Sequence, residues 1–153
     1  MKSSDPRVRM AVLGLMALLA VAGCAKSAKF SGATVAPHAG VGAVRNGMSQ
    51  DELAAAMGQP DSKNHGAWIY SHQGIYASFD GKGVAYNIKC VSPFAGVTKE
   101  GIGLGSTRAA LLAAYGKPDQ DQNFNGGEEN LWFASLGMSF YLENGRITSF
   151  ILH

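Results

Sequence analysis

From Val41 onward the chain repeats itself, which restricts it to folds that use one small unit twice. Gly58-Gln59-Pro60-Asp61 recurs as Gly116-Lys117-Pro118-Asp119, an offset of 58. Gly47 then meets Gly105, Ser49 meets Thr107 and Leu53 meets Leu111 at the same offset. Further on the offset becomes 63, pairing Gly74 with Gly137 and carrying to the C-terminus. The second copy therefore holds five extra residues, placed in the polar stretch Gln120 to Glu129 with its Gly126-Gly127. The repeats span 41–92 and 101–153 and together form one domain, 41–153.

Each copy starts with a capped helix. Ser49-Gln50-Asp51-Glu52 has the capping-box pattern, in which the serine accepts from the helix backbone and the glutamate reaches back. Leu53, Ala56 and Met57 supply a narrow apolar stripe, and Gly58 with Pro60 predicts a left-handed stop. In the second copy Thr107 caps, Leu111, Ala114 and Tyr115 form the stripe, and Gly116 with Pro118 ends it. Helices of about eight residues do not persist alone in water. They require a surface to pack on.

That surface is predicted to be an antiparallel sheet. Ile75, Ala77 and Phe79 alternate with Tyr76 and Ser78, the period of a half-buried strand. After a turn at Asp80-Gly81-Lys82-Gly83, Val84, Tyr86 and Ile88 resume the apolar side. The second copy gives Met138, Phe140 and Leu142, a turn at Glu143-Asn144-Gly145-Arg146, then Ile147, Ser149 and Ile151. A shorter strand precedes each hairpin. There the alternation reads two ways: Trp68 and Tyr70 match Leu131 and Phe133, which leaves Trp132 matched to Ile69 on the other face. The expected fold class is α+β: two tandem αβββ repeats, short helices on antiparallel sheet.

Residues 24–40, small and polar with Pro37, read as a flexible tether. Residues 1–23 read as an export signal, with Lys2, Arg7 and Arg9 before an uncharged stretch from Ala11 to Gly23. That stretch is 13 residues, against about 20 for a stable membrane-spanning helix. Its end, Val21-Ala22-Gly23-Cys24, resembles the lipobox of bacterial lipoproteins. The resemblance implies acylation of Cys24 and cleavage just before it, leaving the protein anchored in a membrane by its N-terminal lipid. Ala25, where enterobacterial inner-membrane lipoproteins carry aspartate, implies the outer membrane, facing the periplasm.

The leader takes three of the 13 Lys and Arg and one of the 11 Asp and Glu, leaving ten of each. A neutral domain lacks the clustered cations that nucleic acid requires. Cys90 is left without an intramolecular partner; it reads as a small buried hydrophobe rather than a reactive thiol.

The helix-and-sheet unit, through Gly47-Met48-Ser49, Gly58-Gln59-Pro60-Asp61, Trp68-Ile69-Tyr70 and Gly74-Ile75, resembles the modules of the SmpA/OmlA lipoproteins. Used in tandem, it is similar to the β-lactamase-inhibitor-protein family. These residues are caps, turns and core positions, so the resemblance implies a fold more than a function.

No catalytic constellation is legible, and no cofactor or metal is expected. His38 lies in the tether, His153 is the last residue, and His65 and His72 have no spacing suited to a shared ligand face. Asp61 and Asp119 follow Gly-x-Pro stops, where aspartate is a turn residue. Gly101-Ile102-Gly103-Leu104-Gly105 fits no phosphate-binding spacing and reads as a bend into the second helix. What remains is the outward side of the hairpins: Tyr76, Ser78, Asn87, Ser139, Tyr141 and Phe150, with Trp132 beside them. Rigid aromatics with serine suit a protein-binding face; the same side chains equally suit a cover against the tether or against Val91 to Lys99. The expectation is a non-catalytic envelope lipoprotein that binds a protein partner, the alternative a tethered inhibitor of an envelope or secreted enzyme. Tyr76, Trp132, Tyr141 and Phe150 are the expected contact residues.

Overall fold

The structure, a computed structural model, describes residues 33–153. The leader 1–23, Cys24 and the tether as far as residue 32 lie outside the described residues. The chain passes through β1 (Thr34–Ala36), β2 (Gly40–Val41), α1 (Gln50–Met57), β3 (Ser62–Asn64), β4 (Ala67–Tyr70), β5 (Ile75–Phe79) and β6 (Ala85–Val91). It continues through β7 (Val97–Thr98), α2 (Arg108–Tyr115), β8 (Gln120–Asn123), β9 (Glu128–Phe133), a 3-10 turn at Ala134–Leu136, β10 (Met138–Glu143) and β11 (Arg146–Leu152). The fold is α+β. Eight antiparallel strands form one sheet in the order β3-β4-β5-β6-β11-β10-β9-β8, and β2-β1-β7 form a small second sheet.

The helix boundaries follow from side-chain chemistry. The Ser49 amide donates to Glu52 Oε2 at 2.8 Å while Ser49 Oγ accepts from the Glu52 amide at 3.3 Å. Thr107 Oγ1 accepts from the Ala110 amide at 3.1 Å. Both helices stop at glycine, but not with left-handed helical geometry. Gly58 (φ 85°, ψ −171°) and Gly116 (φ 78°, ψ −150°) combine positive φ with extended ψ. That region is essentially closed to other residues. Leu53, Met57 and Leu111 are buried in a core shared with the sheet.

Each helix faces four strands, not three. The additional β3 and β8 are the sheet's edges, and every residue in them is exposed. The five extra residues of the second half lengthen the β8–β9 hairpin instead of forming an inserted loop. Seven residues separate Asp61 from Ile69, and 12 separate Asp119 from Trp132. Each aspartate amide donates to the carbonyl of that partner, at 2.9 and 2.8 Å.

Asp61 and Asp119 are more than turn residues. Asp61 Oδ2 accepts from the Ser71 amide at 2.7 Å and the Ser71 hydroxyl at 2.8 Å. Asp119 Oδ2 accepts from the Ala134 amide at 2.7 Å. Each carboxylate thus ties the end of one hairpin strand to the start of the other. The Ser71 hydroxyl, chiefly, holds the Asp61 carboxyl below its ordinary range, against a smaller opposing effect of desolvation. A carboxyl lowered in the folded state stabilises the fold above its unfolded pKa of about 3.9, and this is lost as pH falls through the folded value. Asp61→Asn should therefore lower the melting temperature at neutral pH. The gap from the wild-type protein should close as pH is taken below about 4, which thermal melts across a pH series would read.

The hairpins contain a register change that strict alternation misses. Pairing jumps from Phe79↔Ala85 to Ser78↔Asn87, leaving Tyr86 bulged and 53% exposed. It jumps again from Leu142↔Ile147 to Tyr141↔Ser149, leaving Thr148 bulged. The inward residues are therefore Ala85, Ile88 and Cys90 in β6, and Ile147, Phe150 and Leu152 in β11. Val84 and Tyr86 are not core positions. Ser149 and Ile151 point the other way from Ile147, because a bulge moves every later side chain to the opposite face.

The tether expectation fails for its last residues. Thr34–Ala36 pairs with Val97–Thr98 and with Gly40–Val41. Val35, Val41, Phe94 and Ile102 are buried in the same core as the helices. His38 Nε2 lies 2.8 Å from the Ser135 carbonyl, holding the β1–β2 turn on the 3-10 turn.

Candidate protein-binding face

The two faces of the large sheet are covered very differently. On the inward face Tyr115 of α2 packs at 6.1 Å from Phe133 and 6.5 Å from Phe140, and its hydroxyl reaches Thr98 Oγ1 at 2.6 Å. Burial raises the Tyr115 phenol to about 12, so it stays a neutral donor. Tyr70, with its phenol also raised by burial to about 12, donates to the Gly58 carbonyl at 3.1 Å. Phe94 meets Phe150 edge-on at 5.8 Å. Both helices, the small sheet and the Phe94 segment thus lie on this side. Of the alternative cover for the outward aromatics, tether or Val91–Lys99 segment, Val35 and Phe94 are buried in the core on the opposite face.

The outward face is ordered by the ladder itself. One row crosses all eight strands: Ser62, Ile69, Tyr76, Lys89, Ile151, Ser139, Trp132 and Gln120. A second row carries Val91, Ser149, Tyr141, Asn130 and Gln122. Ser78 and Asn87 form part of a third. Tyr76 and Trp132 are four strand steps apart, roughly 19 Å. Ile69, Tyr76, Ile151, Trp132 and Tyr141 are all half-buried, while Ser139 and Ser149 sit low between them. The result is a shallow serine floor with aromatic and aliphatic side chains standing on either side.

Of the expected contact residues, Tyr76, Trp132 and Tyr141 share this face. Phe150 does not. It is 1% exposed and inward, between Phe94 and Phe140, because the Thr148 bulge reverses its parity. Ile151 takes part in the face although strict alternation turned it inward, which the Thr148 bulge corrects; Lys89 shares the outward parity of Asn87 and was not named. Lys89 Nζ stands 5.8 Å from the Tyr141 ring centre. His153 Nε2 is 3.0 Å from Ser139 Oγ, and its ring meets Trp132 edge-on at 5.0 Å. Burial lowers the His153 pKa, so at neutral pH the ring is a neutral packing partner.

Cys90 is fully buried and pairs across the ladder with Ile75 and Phe150; burial pushes its thiol pKa up. A thiol so placed is a poor nucleophile. Among the described residues no three His, Cys, Asp or Glu side chains gather as a metal ion would require. Arg108 bridges Asp121 and, at 2.6 Å, Glu129, tying α2 to the edge of the sheet.

No protein-family model matches the chain, and no curated protein matches it. One solved structure similar to it is a DUF4309 family protein (YjgB) from Bacillus subtilis subsp. subtilis str. 168, at 12% sequence identity. The likeness covers 67% of this chain and 76% of that one with a TM-score of 0.48, and carries no argument about function.

Proposed function

We propose that this chain is a lipid-anchored lipoprotein of the bacterial envelope that binds another protein non-catalytically through the outward face of its large sheet. The observation that carries the reading is the asymmetry of cover. One face is packed by both helices and the small sheet, while the other presents Tyr76, Trp132 and Tyr141 half-exposed. Rigid aromatics standing around small polar residues give contact area at low entropic cost. We further propose that the domain is two tandem repeats of the SmpA/OmlA type, each a capped helix with its strands. The capped starts, glycine stops, aspartate ties and bulged hairpins recur at corresponding places and support that reading. Anchoring through Cys24 rests on the lipobox, and placement in the outer membrane facing the periplasm rests on Ala25 after it.

Site-specific photocrosslinking in intact cells tests this. A crosslinker at Tyr76 or Trp132 should yield a discrete adduct, and one at exposed Ala113 on α2 should not. The same cells should release a mature form beginning at acylated Cys24, detected by mass spectrometry, and Cys24→Ala should block that processing. Adducts from Ala113 alone would contradict the face, and a mature form starting elsewhere would contradict the anchor.

A further inference from the structure

We propose that the outward cavity at the bulged end of β9, β10 and β11 is a pocket for one cationic side chain, arginine or lysine, of the protein partner. The inference deepens the reading of this face as an interface and rests on it. The cavity measures about 330 Å³. Its floor is the ladder where the bulge at Thr148 breaks the pairing, and its walls include Phe124, Tyr141, Glu128 and Glu143.

Two features give it a cationic preference. Glu143 and Glu128 are direct cross-strand partners, an arrangement of like charges that destabilises a sheet unless neutralised. Among the described residues neither carboxylate has a salt bridge or a hydrogen bond from its side chain. Arg146 pairs with Glu143 in the ladder but sends its guanidinium to the Gly105 carbonyl at 3.0 Å. Second, the walls are aromatic. Phe124 is 51% exposed, an unusual expense for a phenylalanine on a hairpin turn. Lys89 already stands against the Tyr141 ring, an intramolecular instance of a cation on this wall.

The other face of the same strands shows what satisfies such a pair. There Asp121 and Glu129 share the guanidinium of Arg108. Glu129, which also lines the cavity, is thus already paired, whereas Glu128 and Glu143 have acceptors and aromatic walls but, among the described residues, no salt bridge to a cation of this chain. Carboxylates with an aromatic plane suit a guanidinium or ammonium group through charge-assisted hydrogen bonds and cation–π contact.

The test is an NMR titration of the full chain in detergent micelles with Nα-acetyl-arginine amide, using the neutral isostere Nα-acetyl-citrulline amide as control. The arginine probe should shift the Asn130, Thr148 and Ser149 amides saturably, and the citrulline probe should not. Glu128→Gln with Glu143→Gln should weaken binding roughly tenfold or more while leaving the remaining spectrum in place. Phe124→Ala should weaken it as well. Equal shifts by both probes, no shift by either, or a calcium titration moving these amides where arginine does not, would each overturn the pocket. Crosslinks from Tyr76 and Trp132 with no arginine response would leave the face standing and remove only the pocket. An arginine response without such crosslinks would do the reverse.

Discussion

Phe150→Ala is expected to destabilise the domain by about 3–5 kcal/mol, a large share of the roughly 5–15 kcal/mol that holds a small domain together. Phe150 is 1% exposed and lies at the junction of the two central strands, paired with Phe140 on one side and Cys90 on the other. Its ring meets Phe140 at 6.0 Å and Phe94 at 5.8 Å. Truncation removes the surface on which the Phe94 segment sits as well as leaving a void in the main core. Tyr76→Ala, on the outward face, should cost less than about 1 kcal/mol, since that side chain packs on no covering layer. Urea denaturation of both variants reads the contrast directly as a change in midpoint at constant slope. Equal effects would mean that the bulge at Thr148 does not set the register of β11.

The same bulge marks where sequence patterns stop being sufficient. The capping box at Ser49–Glu52, the Thr107 cap, both glycine stops and the inward set Ile75, Ala77, Phe79, Met138, Phe140 and Leu142 were legible, because each follows from local chemistry or uninterrupted alternation. Trp132 was placed on the outward face by matching Trp68 and Tyr70 to Leu131 and Phe133. Beyond the turns the parity failed for Val84 and Tyr86 in the first hairpin, and for every residue after Thr148 in the second. A single bulged residue, Tyr86 or Thr148, is invisible to a period-2 count, and alternation through Ile147, Ser149 and Ile151 looked unbroken although Phe150 and Leu152 face the core. The edge strands escaped for another reason. Ser62–Asn64 and Gln120–Asn123 are exposed throughout, so they have no buried side to imprint a pattern. The small sheet escaped because β1 and β7 are only three and two residues long and pair across some sixty intervening residues. The face itself was half legible: its aromatics and the parity of Lys89, two residues on from Asn87, could be read, while Ile151 became visible only with the true register.

Binding of the protein partner to the folded double variant Tyr76→Ala, Tyr141→Ala tests the central claim most directly. The two tyrosines lie on different halves of the outward face, three strand steps apart, or roughly 14 Å. A hot-spot aromatic costs at least about 2 kcal/mol when cut to alanine, some thirtyfold in affinity, and two positions this far apart act nearly independently. The partner identified by crosslinking should therefore be lost from pull-downs with the double variant, and its affinity by calorimetry should fall by roughly two to three orders of magnitude. The urea midpoint should stay close to that of the unmodified chain. Undiminished affinity in a variant with an intact unfolding transition would contradict the account and move the interface away from this face.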